Sequence, residues 1–208
     1  MTRNQLIEQI LREVYGGQPT DDADITPQLV NLYINQGIGM AVKQNYKEAI
    51  QLDGVGYVNN SFYTTFKGIS VSQDETFLWK VILPQVPLGV GRNEGVANFK
   101  FKSTDGKVTL DGIPLSINQK AYALQMRTIP NKFLYYTEGI NAFAVTPLLL
   151  NTFTASVTII SGGDSTDLTS TLNVPDDYIP TVMSFAVQML ISERKQPKDL
   201  SNDGADVA

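Results

Sequence analysis

The chain contains no cysteine and no histidine. The first absence excludes disulfides, thiolate nucleophiles and zinc sites of the Cys/His kind. The second excludes the Ser-His-Asp triad and removes the commonest general acid/base, which leaves carboxylate, lysine or tyrosine chemistry. Charge is also sparse, at 18% of 208 residues, and its surplus is acidic: net charge is −5 and pI about 4.7. Binding nucleic-acid phosphates in general needs clustered lysine and arginine, so this balance argues against it.

Long apolar runs are missing too. The longest mainly apolar stretch, 179–191, is interrupted by Thr181, Ser184 and Gln188 and is too short to span a bilayer. The opening "MTRNQLIEQILREVYGG" lacks a continuous apolar core and carries Glu8 and Glu13, unlike a signal peptide. The expectation is a soluble protein made in a cytoplasm, with no membrane partner. Hydrophobic content of 42% over 208 residues is enough to bury a sizeable core.

Helical periodicity marks both ends of the chain. Thr2 and Gln5 have capping-box spacing, and Leu6, Ile7, Ile10, Leu11 and Val14 recur at helical intervals before Gly16-Gly17. This predicts a helix over 3–15. Thr26 followed by Pro27 is a second start signal, and Leu29, Val30, Tyr33, Ile34, Ile38, Ala41 and Val42 continue a stripe to about residue 51. Gly37 and Gly39 interrupt that helix at a cost relative to alanine, which close helix–helix packing explains. Pro175 opens a last helix, with Asp176 and Asp177 at its positive end and Arg194 and Lys195 at its negative end. Its expected apolar face is Ile179, Val182, Met183, Ala186, Leu190 and Ile191. Pro197 stops it.

Between these helices the period changes to short β-favouring runs punctuated by Gly, Asn and Pro. "FLWKVILP" is the clearest strand. "VANFKFKSTDGKVTLDGIPLSI" reads as a hairpin turning at Asp105-Gly106, and "KFLYYTEGINAFAVTP" as another turning near Glu138-Gly139. "NTFTASVTIIS" is a further strand, and 115–126 has room for a short helix. The expected class is α+β: N- and C-terminal helices packed as a helical base, an inserted, mostly antiparallel β module, and an extended C-terminal tail. The boundaries read as 1–54, 55–173, 174–195 and 196–208. The tail has Leu200 and Val207 but little else to bury, so only another surface can order it.

Signs of chemistry are weak. Gly89 and Gly91 form a G-x-G without the Walker lysine or a full dinucleotide fingerprint, so "PLGVGRNEG" reads as a loop whose Arg92 and Glu94 suit contact with a neighbouring subunit. Asp21, Asp22 and Asp24 lack the glycine and distal glutamate of a calcium loop. Adjacent Asp176 and Asp177 diverge around a helix end and do not converge on one ion. Tyr63, Trp79, Tyr122, Tyr135 and Tyr136 are candidates for a stacking surface, although aromatics in short strands more often fill the core. Neither a metal nor a cofactor is expected.

Three stretches carry a resemblance: "TPQLVNLYINQGIGMAVKQNYKEAIQ", "YYTEGINAFAVTP" and "VPDDYIPTVMSFAVQMLISERKQPKDLSNDGAD". Together they resemble the head–tail connector (adaptor, or ring) proteins of short-tailed bacteriophages, and look closest to ring proteins of the crAss-like phages of Bacteroidales. The resemblance covers both ends and part of the β module. It implies a non-enzymatic virion component, made in the host cytoplasm and placed in the neck, with about a dozen copies in a cyclic ring beneath the portal protein. In that setting the helices form the ring body and the bore passes genome DNA without specific binding. The β module reaches other ring or tail proteins. The tail, through Gln196, Pro197, Asp199, Leu200, Asn202 and Asp203, docks on the portal or a neighbouring subunit. Two other classes stay open: a carbohydrate-binding or adhesin-like β module on a helical base, and an enzyme using carboxylates.

Overall fold

Thr2 starts the first helix in the way its spacing predicts. The Gln5 N–H donates to Thr2 Oγ1 at 3.3 Å, and the Thr2 N–H donates to Gln5 Oε1 at 2.9 Å. This reciprocal pair opens α1, Arg3–Tyr15, in the computed structural model, which describes residues 1–17, 25–90, 95–116, 119 and 129–194. Thr26 caps the second helix, α2, Pro27–Asp53, by accepting from the Leu29 N–H. The third, α3, spans Ile179–Arg194.

Pro175 does not open α3 directly, contrary to the sequence reading. A 3₁₀ turn, Asp176–Tyr178, comes first. Pro180 has no N–H to offer the Asp176 carbonyl, which accepts from the Ile179 N–H instead and tightens the turn. The buried face of α3 also differs from expectation. Val182, Ala186, Val187 and Leu190 are buried, Ile179 and Met183 are half-buried, and Ile191 is exposed.

The three helices share one core. Leu6, Ile7 and Ile10 of α1 meet Val30, Ile34, Ile38, Ala41 and Val42 of α2 and the buried face of α3. Each fully buried Leu, Ile or Val contributes about 1.5–3 kcal/mol relative to exposure. Gly37 explains how α2 and α3 come so close. A Cβ there would sit 3.1 Å from the Val182 carbonyl oxygen and 3.2 Å from Val182 Cγ1. The glycine therefore sits at a close helix–helix contact, whereas Gly39 meets only Leu88, at 3.9 Å.

Eight strands form one curled sheet in the order β1-β8-β4-β5-β6-β7-β3-β2. They are β1 Tyr63–Ile69, β2 Val71–Glu75, β3 Leu78–Ile82, β4 Val96–Ser103, β5 Thr109–Pro114, β6 Lys132–Glu138, β7 Asn141–Val145 and β8 Phe153–Ile160. All pairings are antiparallel except β5 with β6. Both hairpins read from the sequence are present, β4–β5 around Asp105-Gly106 and β6–β7 around Gly139.

The two edge strands follow one another in the chain with only Ser70 between them. They are one bent strand whose first half pairs with β8 and whose second half pairs with β3. The bend coincides with a register shift between Phe66 and Ile69, where Gly68 takes φ 72, a left-handed conformation that glycine adopts without a Cβ penalty. Inside the curl lies an aromatic core. Phe99 meets Phe133 edge-on, with centroids 5.1 Å apart at 87°, and packs near Phe101 and Tyr135.

The helical base closes one end of this sheet. Ile160, at the finish of β8, and Phe62, just before β1, belong to the helical core together with Val58, Val90, Leu172 and Val174. The base and the sheet thus share apolar residues.

Candidate interaction surfaces

Residues singled out in the sequence fall into two groups. Arg92, Glu94 and the tail residues Gln196, Pro197, Asp199, Leu200, Asn202 and Asp203 lie outside the described residues. So do Tyr122, the acidic loop of Asp21, Asp22 and Asp24, and most of 115–126. The remaining aromatics do not make an exposed platform. Trp79 and Tyr135 are buried in the core of the sheet, and Tyr136 stacks on Phe143 at 5.2 Å on the other face. Alternation along the strands sent these rings inward, as cross-strand packing favours.

Tyr63 takes a different position. Together with Tyr46, Tyr57 and Tyr135 it lines a half-open cleft of about 740 Å³ between the end of α2 and the sheet. Burial pushes the Tyr63 phenol above its ordinary pKa. The Tyr57 hydroxyl donates to Asp53 Oδ2 at 2.7 Å, and that hydrogen bond raises its pKa.

Polar contacts fasten the helices of the base. The Tyr178 hydroxyl donates to Glu48, and Gln44 Nε2 donates to the other carboxylate oxygen at 2.8 Å. These bonds, the tyrosine's first, hold the Glu48 carboxyl below its ordinary pKa, while burial and then the Glu48 contact push Tyr178 up. Arg3 is fully buried. Its Nη1 donates to Asn31 Oδ1 and Asn35 Oδ1, each at 2.8 Å, while Nε and Nη2 are buried without a protein acceptor. Burial lowers its pKa, partly offset by Asp164, whose own carboxyl is held low by the Thr166 hydroxyl and N–H. No local pattern signals that the first charged residue of an amphipathic helix is interior.

Among the described residues, every carboxylate with a resolved shift moves down: Glu48, Asp105, Asp164 and Asp167. A general acid at neutral pH needs the opposite shift. No group of three or more Asp or Glu among those residues is placed to hold a metal ion.

Two surfaces stand out instead. The first is the end of the sheet away from the helices. There the turns at 76–77, 104–108, 129–131 and 146–152 meet. The Thr146 N–H donates to the Phe77 carbonyl at 3.0 Å, the Thr104 N–H to Thr152 at 2.9 Å, and the Asp111 N–H to Asn131 at 3.0 Å. This distal rim exposes Phe77, Val108, Ile129, Leu148 and Leu149, the last at 73%. Phe77 also holds φ 64, a region that bulky residues rarely enter and that costs about 1–2 kcal/mol. The sequence places Phe77 at the start of the strand "FLWKVILP", but β3 begins at Leu78 and Phe77 sits in the turn before it; the other four lie in connections between strands. Their only signal was a large apolar side chain amid turn chemistry.

The second surface is the outside of α2 and α3. No charged residue occurs from 25 to 42 or from 178 to 192. Leu32 is 50% exposed, Met40 53% and Ile191 37%. On α1, by contrast, Glu8, Arg12 and Glu13 make an ordinary solvated face. Pro180, Thr181, Ser184, Phe185 and Gln188 line a shallow hollow of about 430 Å³ on α3. Among the described residues, no helix is long and apolar enough to cross a membrane. No protein-family model matches the chain, and no curated protein matches it closely enough to count as a relative.

Proposed function

We propose that this chain is a structural virion protein, the repeating subunit of a head–tail connector ring that joins a bacteriophage capsid to its tail beneath the portal. The observation that carries the reading is the coexistence, in one small chain, of helix stretches without charge at the base, 25–42 and 178–192, and a rim with exposed apolar residues at the far end of the sheet. Single exposed apolar residues are ordinary, but several gathered at one end of a sheet or along one helix suit a contact site. A subunit that must hold like neighbours around a ring and grip a different protein along the axis needs two such sites. The acidic balance, with net charge −5, suits a bore that lets DNA pass. The resemblance of both ends to connector proteins supports the same assignment. In it, the portal is the partner on one side, other ring or tail proteins meet the rim, and the tail beyond 195 docks on the portal or a neighbour.

The alternative is a carbohydrate-binding module, favoured by the tyrosine-lined cleft between α2 and the sheet. Quantitative mass spectrometry of purified particles, scaled to the major capsid protein, separates the two. About a dozen copies per particle is the connector outcome. Hundreds of copies would mean capsid decoration. Absence from particles would sink the connector and leave the binding module as the better reading.

A further inference from the structure

We propose that neighbouring copies join by laying the outer face of α2 from one copy antiparallel into the hollow on α3 of the next. The inference rests on the ring reading and adds to it the faces, their direction and their register.

The two faces match in position as well as in character. On α2, Leu32, Gln36, Met40, Lys43 and Lys47 fall within an arc of about 80°, and in the register below Lys43 lies over Thr181. On α3, Ser184, Gln188 and Ile191 share one side, and Asp177 precedes them at the matching interval. Met40 set over Ser184 in an antiparallel register brings Gln36 beside Gln188, Leu32 beside Ile191, and Lys47 beside Asp177. Seven residues separate Met40 from Lys47 and Asp177 from Ser184, about 10 Å along α2 and about 11 Å along the 3₁₀ turn and α3. An apolar side chain then fills a hollow, two amides meet, and a cation meets an anion. Neither Lys47 nor Asp177 has an ion-pair partner among the described residues. A parallel arrangement would instead carry Lys47 toward Ile191 and waste the charge match.

Direction follows from the packing inside one copy. Gly37 touches Val182, which marks the line where α2 and α3 meet. The open face of α3 lies about half a turn from Val182, and that of α2 about a quarter turn from Gly37. The two faces therefore point different ways and serve different neighbours. Such a contact is head-to-tail, and it closes into a ring when the rotation between copies allows.

The absence of native cysteine makes the test clean. The Met40→Cys/Ser184→Cys and Gln36→Cys/Gln188→Cys double variants of the full chain would be concentrated and treated with a short bis-maleimide. Circular dichroism melting would first verify that each folds as the parent does. The expected result is a ladder of covalent dimers, trimers and longer species. Glu8→Cys/Ser184→Cys, which uses the α1 face, should give none. Lys47→Glu should cut the ladder several-fold, and Asp177→Lys added to it should restore the yield. No ladder, or a ladder that stops at dimers, overturns the proposed contact. Particle copy number reads the ring assignment independently: a dozen copies with no ladder would discard this contact and keep the connector.

Discussion

Phe77 shows how much one residue can reveal. Its left-handed backbone is a standing cost, and its side chain gains little burial in return, being 48% exposed. Phe77→Gly should relieve that strain and raise stability by about 1 kcal/mol, seen as a higher melting temperature. On the connector reading, the same change should also lower incorporation into particles, because it takes an exposed apolar side chain off the distal rim. A variant that melts lower and assembles normally would contradict both halves of this account. Arg3 makes a complementary point. It stands in the first turn of an amphipathic helix, yet tertiary packing encloses it against Asn31 and Asn35. No local pattern encodes such burial, because the two asparagines that answer it lie a helix away.

At the scale of elements, what was legible was whatever is written locally. Thr2 with Gln5, Thr26 with Pro27, and the turns at Asp105-Gly106 and Glu138-Gly139 are short-range signals, and each ends an element where expected. β2 was not legible. Its sequence, VSQDE, is polar and mostly exposed, and it is a strand only because β3 pairs with it. The start of α3 was misplaced because Pro180 alters the hydrogen bonding of the turn ahead of it. Gly37 was read correctly as a packing position, and that reading has a consequence. Gly37→Val would place two methyl groups against the Val182 backbone, where even a Cβ is tight. It should cost about 1–3 kcal/mol by overpacking, measured by chemical denaturation. An unchanged midpoint would mean that α2 and α3 separate easily. Neither candidate surface was legible as such, since exposure is a property of the assembled fold and leaves little trace in composition.

For the whole molecule, the mixed α+β class and the helices flanking a β segment were readable, whereas the curl and strand order were not. Strand order depends on contacts between distant segments, such as β1 with β8, that no local signal carries. The pH profile also belongs to the whole molecule. Without histidine, no side chain of ordinary pKa titrates between pH 6 and 8. Glu48, Asp105, Asp164 and Asp167 have folded pKa values below their ordinary ones. Their contribution is present above about pH 4 and is lost as pH falls through the lower folded values. Tyr33, Tyr57, Tyr63 and Tyr178 are shifted up, so theirs is present below about pH 10 and fades as pH rises through the raised values. Melting temperature should therefore be flat from about pH 5.5 to 9 and fall on both sides. A step near neutrality would contradict this.

The bend at Ser70 bears on crowding. Proteins that gather at high local concentration face a hazard wherever a long strand edge stays open, because backbone groups there template fibre growth. Here one strand turns the corner and serves both ends of the sheet, so neither leftover edge is long, and one of them carries Asp74 and Glu75. Many copies can thus be brought together without offering one another a seed for runaway strand exchange.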